Sequence, residues 1–421
     1  MRSFNLTRVR GKVERIFKWL YPGIGIKRWV FVIALGVVLV ILGASYLGTE
    51  EYWLPQVFDF IVVVSGVIIL ALGIQNMLHS FIAAFMPPSK ENELVNILYL
   101  RSQLSKGPKI ITVGGGTGLS TLLTGLKEYT SNITAVVTVA DEGGSSGRLR
   151  QQFDILPPGD IRNCLVALAD ASSLMQNLFQ FRFDKGSELA GHNFGNLFIT
   201  VMTQVTGDFE KAIKETSKVL ALRGQVIPST LDNVALVAEY KDGTRVEGED
   251  KIPKALKPID RISLKPDSSV ATPEAVKAIE EADLIILGPG SLYTSIIPNL
   301  LIKGITEAIV ASKALKVYVC NIMTQPGETD GYSAFTHVKA LVKHSHTRIF
   351  DYCIVNTGEI SPEIIKRYEK ESACLVAGDQ RNIENMGYRV IGEDIAAVND
   401  GIIRHDPMKL AKMILGFIEE I

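Results

Sequence analysis

Two unbroken apolar runs near the N-terminus dominate the distribution of hydrophobic and polar positions along the chain. Residues 29–47 and residues 60–78 contain no charged side chain, and each run has about the twenty residues that a helix needs to cross a bilayer core. Helices of soluble proteins are usually amphipathic and seldom stay apolar on every face over such a length. The pattern therefore predicts two transmembrane helices, at about 29–47 and 60–78.

Charged residues around these two runs indicate how the helices would be oriented. Segment 1–28 carries eight lysines and arginines, whereas segment 48–59 carries none and holds Glu50, Glu51 and Asp59. Positively charged flanks remain on the cytoplasmic side of a membrane. We therefore expect a protein of the cell membrane in which both termini and the soluble part lie in the cytoplasm.

The pattern changes after the second apolar run. Residues 1–88 form the N-terminal part of the chain, and a linker and a long soluble domain follow it. Residues 89–107 can form an amphipathic linker helix, and Gly107-Pro108 closes it. From 108 to 421, β-branched runs alternate with helical periodicity, which predicts an α/β fold with a mostly parallel sheet. Within it, residues 231–265 hold short alternating runs around an Asp-Gly turn, which indicate a small antiparallel insertion.

A glycine-rich loop, residues 114–118, follows the first apolar run of this domain and precedes leucines at helical spacing. Bare backbone followed by the N-terminus of a helix favours binding of an anion, most often a phosphate. The Gly-Lys-Ser/Thr ending of a P-loop is missing, and Leu119 stands where the dinucleotide fingerprint needs a small residue. The loop predicts a phosphorylated ligand, with a plain tight turn as the structural alternative.

Polar side chains with more than one possible role follow the later strands. Asp141 stands where a carboxylate commonly accepts hydrogen bonds from a ribose, and Arg148 can pair with a phosphate. Asp160 either caps a helix that starts at Ile161 or contacts a metal or ligand. For His192 a ligand contact is slightly favoured over a structural role. Tyr293 either stacks on a base or sugar or packs the turn.

The carboxyl ends of parallel strands share one edge of a sheet, where open α/β folds bind their ligands. We therefore expect these loops to form a single site for a nucleotide that carries a diphosphate. Asp141 and Asp160 are candidates for catalysis, although no catalytic residue is assigned, and the metal is unknown, with Mg²⁺ as a candidate. The predicted ligand-binding residues are Gly114, Gly115, Gly116, Thr117, Gly118, Asp141, Gly144, Ser145, Ser146, Arg148, His192, Asn193, Gly290, Ser291, Tyr293, Thr294, Asn321 and Thr324.

Composition excludes several classes of function. The formal net charge is −1, so the chain lacks the basic field that nucleic-acid binding needs. The four cysteines, at 164, 320, 353 and 374, form no C-x-x-C pair, which argues against a zinc site or a disulfide scaffold. No Ser-His-Asp order and no activated cysteine stand out either.

The loop motifs also resemble a known family, the YvcK-type gluconeogenesis factors of the CofD-like (2-phospho-L-lactate transferase-like) group. The resemblance covers the soluble domain and leaves out the membrane hairpin, which many relatives lack. Glu142 departs from the family pattern, where a second aspartate is expected, and this weakens a role for both carboxylates in metal binding. The matching motifs are residues 114–120, 141–148, 156–163, 191–193, 288–295 and 323–330.

The resemblance implies a Rossmann-like, three-layer CofD-type domain that binds a nucleotide sugar such as UDP-N-acetylglucosamine or UDP-glucose. It implies a bacterial protein required for cell shape and wall synthesis under gluconeogenic growth, with the 114–120 loop on the phosphates and the Tyr293 loop on the nucleotide sugar. We favour a membrane-tethered, non-catalytic regulator that acts through wall-synthesis partners. The alternative is a CofD-like transferase of a phospholactyl-type group, with Asp141 or Asp160 holding magnesium. An NAD oxidoreductase is the least favoured of these three functions.

Overall fold

The computed structural model describes residues 26–46, 53–85, 102–184, 186 and 188–419. Contacts divide the chain into two compact units, residues 1–101 and 102–421. Each unit is described by itself. Most of the predicted linker helix, residues 89–101, lies outside the described residues.

The N-terminal unit contains two long apolar helices, α1 (Ile26–Tyr46) and α2 (Trp53–Phe85). Both are longer than predicted, and their segments 27–46 and 56–80 are long and apolar enough to cross a membrane. The prediction of two apolar N-terminal helices is confirmed.

Glycines allow α1 and α2 to pack closely against each other. A Cβ atom on Gly36 would lie 2.8 Å from the backbone nitrogen of Leu70 and 2.9 Å from the carbonyl oxygen of Gly66. The Trp29 indole also donates a hydrogen bond to Ser80 Oγ at 3.0 Å. Small residues at such contacts let two helix backbones approach each other, as in membrane helix pairs. The two helices therefore form a tight antiparallel hairpin.

The second unit is built on a seven-stranded sheet with the order β10-β9-β8-β7-β1-β2-β3, in which every neighbouring pair is parallel. The strands of the domain are β1 Ile110–Gly114, β2 Ile133–Val137, β3 Gln225–Pro228, β4 Ala235–Tyr240, β5 Arg245–Glu247, β6 Ile259–Lys265, β7 Leu284–Leu287, β8 Leu315–Val319, β9 Tyr352–Asn356, β10 Arg389–Glu393, β11 Ala396–Asn399 and β12 Ile402–His405.

Helices cover both faces of this sheet, and the predicted α/β class with a mostly parallel sheet is confirmed. They are α3 Gly116–Leu126, α4 Gly144–Phe153, α5 Gly159–Leu168, α6 Ser173–Gln180, α7 Phe194–Thr206, α8 Phe209–Val219, α9 Pro273–Glu280, α10 Ile297–Leu300, α11 Ile305–Ala311, α12 Ala334–His344, α13 Pro362–Lys370, α14 Gln380–Glu384 and α15 Pro407–Glu419, with a 3₁₀ turn at Pro253–Ala255 and a π turn at Leu292–Ile296.

The central strands are apolar because both of their faces are covered. Every residue of β1, β2 and β7 is buried, as expected for parallel strands between two helical layers. The chain passes from β1 to β2 and β3 on one side and then returns to β7 on the other side of β1. The direction of strand order therefore reverses between β1 and β7, and such a switch point is where open sheets bind ligands.

Two small antiparallel sheets complete the domain. Strands β5, β4 and β6 form one of them, which confirms the predicted insertion at 231–265. Strands β11 and β12 form a hairpin that the sequence analysis did not predict. Its turn contains Asp400 and Gly401, both with positive φ. The hairpin contributes Ile403 to a second, smaller hydrophobic cluster with Ile322 and Ile360, so it packs partly outside the main core.

Candidate functional site

The glycine-rich loop joins β1 to α3 in a crowded environment. A Cβ atom on Gly115 would collide with the carboxylate of Asp160, and one on Gly118 would lie 2.7 Å from the carbonyl oxygen of Pro289. Helix α3 begins at Gly116, three residues earlier than the leucine spacing indicated. Because the loop has no side chains at these two positions, the loops on either side of it can reach the start of α3.

A buried asparagine fixes the glycine-rich loop in place. Asn299 Nδ2 donates to the carbonyl oxygens of Gly114, at 3.0 Å, and Ser295, at 2.7 Å. It thereby joins the loop after β1 to the segment after β7, across the switch point. Asn299 was not predicted as a site residue, because it stands in an apolar stretch 185 residues from Gly114 with no local motif.

Three carboxyl groups of the domain, those of Asp160, Glu249 and Glu328, have raised pKa values, and Asp160 lies against the glycine-rich loop. Desolvation, followed by repulsion from Asp141, raises the pKa of Asp160 to about 7. Desolvation and then the charges of Asp141 and Asp160 raise the pKa of Glu249 to about 8. Desolvation raises the pKa of Glu328 to about 7, although Glu328 accepts a hydrogen bond from Thr294 Oγ1. Asp160, Glu249 and Glu328 therefore hold protons around neutral pH that isolated carboxylates would release.

The capping role considered for Asp160 is wrong. Helix α5 begins at Gly159, its N-cap is Pro158, and no side chain caps it. Asp160 lies in the first turn of α5 and accepts a backbone hydrogen bond from Gly116. Its carboxylate is therefore directed to the glycine-rich loop, while contact with a metal or ligand stays a prediction.

Hydroxyl and amide side chains connect α4 to α7 beside the carboxyl groups. Ser145 Oγ lies 3.2 Å from His192 Nδ1 and accepts a hydrogen bond from the backbone N–H of Asn193 at 3.3 Å. Asn196 Nδ2 donates to Ser146 Oγ at 3.4 Å. Burial and then the nearby positive charge of Arg148 lower the pKa of His192. The structure therefore brings these predicted residues together.

Two of the predicted ligand-binding residues, Arg148 and Tyr293, contact other groups of the protein. The exposed Arg148 donates both terminal guanidinium nitrogens to the carbonyl oxygen of Ala190, at 3.2 Å each, so its pairing with a phosphate stays a prediction. Tyr293 is 2% exposed, and its hydroxyl lies 2.9 Å from that of Tyr332. A ring so deeply buried offers no face to a base or sugar. The stacking alternative is therefore wrong for this conformation, and Tyr293 packs the turn.

The loops after β7 and β8 share a chain of polar contacts. The backbone N–H of Gly290 donates to Asn321 Oδ1 at 3.4 Å, and Gln325 Nε2 donates to Ser291 Oγ at 2.6 Å. Thr324 is buried instead and accepts a hydrogen bond from the backbone N–H of Cys374 at 2.8 Å. Gly290, Ser291 and Asn321 therefore face a ligand-accessible region, whereas Thr324 supports the loop.

A cavity of about 290 Å³ opens at this edge of the sheet. The loops after β1, β7 and β8 form its walls together with strand β12, and the loop after β2 lies next to them through the contact of Thr138 with Gly115. The predicted convergence of these loops at one edge therefore matches the geometry. The lining residues are Gly115, Gly116, Thr117, Gly118, Thr121, Pro289, Gly290, Ser291, Asn321, Ile322, Met323, Gln325, Ile402, Ile403, Arg404 and His405.

Strand β12 supplies the two basic residues of this lining. Arg404 carries a permanent positive charge, whereas burial lowers the pKa of His405 to about 4. His405 Nε2 donates to the carbonyl oxygen of Cys320 at 3.2 Å, so the imidazole is neutral at pH 7 and fixed in orientation. Neither residue was predicted from the sequence, although the Asp-Gly turn before them is a hairpin signal.

Binding of a magnesium ion by Asp141 and Asp160 stays a prediction. Within the described part of the chain, no group of three or more His, Cys, Asp or Glu side chains is arranged to hold a metal ion. Magnesium often binds through one or two carboxylates and completes its shell with phosphate oxygens and water. The pair therefore fits a metal that arrives with a diphosphate better than a metal held by the protein alone.

Comparison with known proteins identifies the class of protein to which this fold and site belong. The family model described as 2-phospho-L-lactate transferase CofD matches residues 110–396. The chain therefore belongs to the CofD family. Within that family it is similar to the gluconeogenesis factors, as its relatives show.

Some relatives match nearly the whole chain, and others match about three quarters of it. The gluconeogenesis factor of Bacillus subtilis is 50% identical over 317 residues, which are 75% of this chain and 100% of the relative. A protein of Nostoc sp. that carries a gluconeogenesis-factor name is 46% identical over 428 residues, 97% of this chain and 94% of the relative. The crystal structure of protein BH3568 from Bacillus halodurans matches this fold with a TM-score of 0.72. The two sequences are 48% identical, and the match covers 74% of this chain and 100% of the BH3568 chain.

Proposed function

We propose that the protein binds a nucleotide sugar, such as UDP-N-acetylglucosamine or UDP-glucose, in the cavity at the switch point. The observation that carries this proposal is that the glycine-rich backbone of residues 115–118 and Arg404 line the same cavity. Backbone N–H groups at the start of a helix and an arginine are the two commonest phosphate-binding devices of proteins. Asn321, Ser291 and Gln325 supply polar groups for a sugar or base.

We further propose a cellular role for nucleotide-sugar binding. The protein is a membrane-tethered cytoplasmic regulator that reports the nucleotide-sugar supply to wall-synthesis partners and so supports cell shape under gluconeogenic growth. The hairpin of α1 and α2 supports the tether, because both helices have the length and hydropathy of membrane spans. The basic residues before α1 support a cytoplasmic domain.

A regulatory role is consistent with the chemistry of the buried thiols. Burial raises the pKa of Cys320 to about 12 and that of Cys353 and Cys164 well above the ordinary value. Thiols that stay protonated are poor nucleophiles. Covalent catalysis by these three cysteines is therefore disfavoured.

Isothermal titration of the full chain in detergent micelles tests the ligand. We expect saturable binding of UDP-N-acetylglucosamine or UDP-glucose, and no binding of NAD. Arg404→Ala should weaken binding by roughly tenfold or more, since hydrogen bonds to charged groups contribute about 1.5–3 kcal/mol. Arg348→Ala is the matched control, because Arg348 is an exposed arginine that lines a different cavity. Binding of NAD alone would remove the proposal.

The carboxyl groups favour one alternative, a CofD-like transferase. Asp160 lies against the glycine-rich loop with Asp141 close enough to repel its charge, and its raised pKa of about 7 suits a group that gives or takes a proton at neutral pH. Incubation of the full chain with a guanylyl-activated lactyl donor, a deazaflavin and Mg²⁺ tests this alternative. Turnover that is lost in Asp160→Asn would establish the transferase and exclude a purely regulatory role.

A further inference from the structure

Three arginines of the soluble domain converge on the turn before α7. Both terminal guanidinium nitrogens of Arg148 donate to the carbonyl oxygen of Ala190, and Arg182 Nη1 donates to the carbonyl oxygen of Gly191 at 2.8 Å. Desolvation, followed by the positive charge of Arg182, lowers the pKa of Arg162. A charge acts in this way only over a short distance, so Arg162 lies near Arg182. These three residues are called the arginine cluster.

The protein itself compensates the charges of the arginine cluster poorly. Within the described residues, none of the three arginines forms an ion pair with a carboxylate. Arg162 Nε is buried and has no hydrogen-bond partner in that part of the chain. Attraction to Asp160 and attraction to Asp141 each influence the pKa of Arg162 less than repulsion by Arg182 does. Charges that are drawn into a protein normally have partners, so the cluster has capacity for an external anion.

Helix N-termini add to the positive potential beside the cluster. Neither α4 nor α5 has a side-chain cap. A Cβ atom on Gly159, the first residue of α5, would collide with Ser146 Oγ in the first turn of α4, and Asn196 Nδ2 in the first turn of α7 donates to the same oxygen at 3.4 Å. The starts of three helices therefore meet at Ser146, and each carries about half a positive charge. Arg148 and Arg162 stand about one turn after the starts of α4 and α5.

The arginine cluster lies outside the cavity of the proposed nucleotide-sugar site. None of its three members lines that cavity. Asp160 connects the two places, because its carboxylate lies against Gly115, which lines the cavity, and its negative charge acts on Arg162. Arg148 and Arg182 are exposed, so the cluster is open to solvent. A ligand at the cluster is therefore a neighbour of the nucleotide sugar and does not take its place.

We propose that the arginine cluster binds the phosphate group of a second ligand, which the protein holds together with the nucleotide sugar. A phosphate dianion spreads its charge over oxygens that point in different directions, and the three arginines come from three segments, namely α4, α5 and the chain after α6. A carboxylate is planar and carries one charge, which the fork of a single arginine matches. Free phosphate and a phosphate monoester share the chemistry that the cluster recognises. The inference goes beyond the proposed function, because both the ligand and the residues are different.

Titration calorimetry of the full chain in detergent micelles, with inorganic phosphate as the probe and a phosphate-free buffer, tests the proposal. Arg182→Ala should weaken phosphate binding by about tenfold or more, because hydrogen bonds to charged groups are the strong ones, and should leave the affinity for UDP-N-acetylglucosamine unchanged. Arg404→Ala should keep the phosphate site, and this result does not depend on whether the nucleotide sugar binds. Arg348→Ala is the matched control for phosphate, since Arg348 is exposed and lines a different cavity. Glycerol 3-phosphate distinguishes the sources: tighter binding than inorganic phosphate identifies a monoester, and weaker binding identifies free phosphate.

The melting temperature without phosphate shows whether Arg182→Ala is folded. If it is not, Arg148→Ala, which changes another exposed member of the cluster, is titrated with phosphate in the same way and should show the same loss. Absence of phosphate binding to the wild-type protein would overturn the proposal. Loss of phosphate binding in Arg404→Ala, with wild-type affinity in folded Arg182→Ala, would overturn it as well, because the phosphate would then occupy the cavity. Acetate that binds as tightly as phosphate would overturn the assignment of a phosphate.

Discussion

Asp160 combines three properties of the site in one side chain. It stands in the first turn of α5, accepts a backbone hydrogen bond from Gly116, and fills the space that a side chain at position 115 would occupy. It also carries much of the electrostatic cost of the site, because Asp141 lies close enough to repel its charge. The fold therefore fixes the Asp160 carboxyl group in a place where its ionisation is unfavourable.

This cost gives Asp160 a defined effect on stability. Its pKa is about 7 in the folded domain and 3.8 in an unconstrained chain, so the folded state binds more protons between these values. Its contribution is fully present below pH 3.8 and is lost as the pH rises through 7. Asp160→Asn should therefore make the ligand-free protein melt a few degrees higher than wild type at pH 8, and should reduce the loss of stability between pH 5 and 8.

Melting curves of the ligand-free protein at pH 5 and pH 8 measure this effect. Asp267→Asn, which removes the same charge at an exposed position, is the control and should leave the pH dependence unchanged. The same slope in Asp160→Asn as in wild type would show that Asp160 is already ionised at neutral pH in the fold.

At the scale of elements, helix starts position the site. Asn193 caps α7 by accepting a hydrogen bond from the backbone N–H of Asn196 at 3.2 Å. It also places His192 and its own backbone N–H beside Ser145. Asp208 caps the next helix, α8, in the same way, at 2.7 Å from the backbone nitrogen of Lys211. The two caps have the same local role, and only the first lies next to predicted ligand-binding residues.

The two caps therefore provide a matched pair of variants. Asn193→Ala and Asp208→Ala should each lower the free energy of unfolding by about 1 kcal/mol, because each leaves a helix N–H without its partner. Asn193→Ala should also weaken nucleotide-sugar binding, whereas Asp208→Ala should not. Urea unfolding and titration calorimetry measure the two effects. Equal loss of binding in both variants would show that affinity follows stability and not the position of the cap.

At the scale of the whole molecule, we expect the two units to fold independently. Protein BH3568, whose structure covers 74% of this chain and 100% of its own, shows that a relative folds without the N-terminal hairpin. We expect deletion of residues 1–101 to give a protein that no longer sediments with membranes and that keeps the nucleotide-sugar affinity of the full chain. Ultracentrifugation of cell extracts and calorimetry measure the two outcomes.

The full chain is the control for both the sedimentation and the calorimetry of the truncated protein. Continued sedimentation of the truncated protein with membranes would contradict a tether formed by α1 and α2. Loss of its affinity, with a normal melting transition, would show instead that the N-terminal unit contributes to ligand binding.

Much of this architecture is determined by the sequence alone, because its signals are local. The apolar runs specify α1 and α2, the Asp-Gly turn specifies the insertion, and the glycine-rich loop specifies a strand-to-helix turn. The convergence of the loops also follows from sequence, since parallel strands leave one edge for all their carboxyl ends. Helix starts were less well predicted, because glycine and proline at α3 and α5 took the place of side-chain caps.

Only the tertiary structure decided which other side chains reach that edge. Asn299 fixes Gly114 from 185 residues away, Glu249 enters from an insertion that showed no chemistry in sequence, and Arg404 enters from a hairpin outside the main sheet. The same packing withdrew Tyr293 into the interior. A local pattern specifies how a segment folds, whereas burial and partners depend on segments that are distant in the chain and meet only in the folded domain.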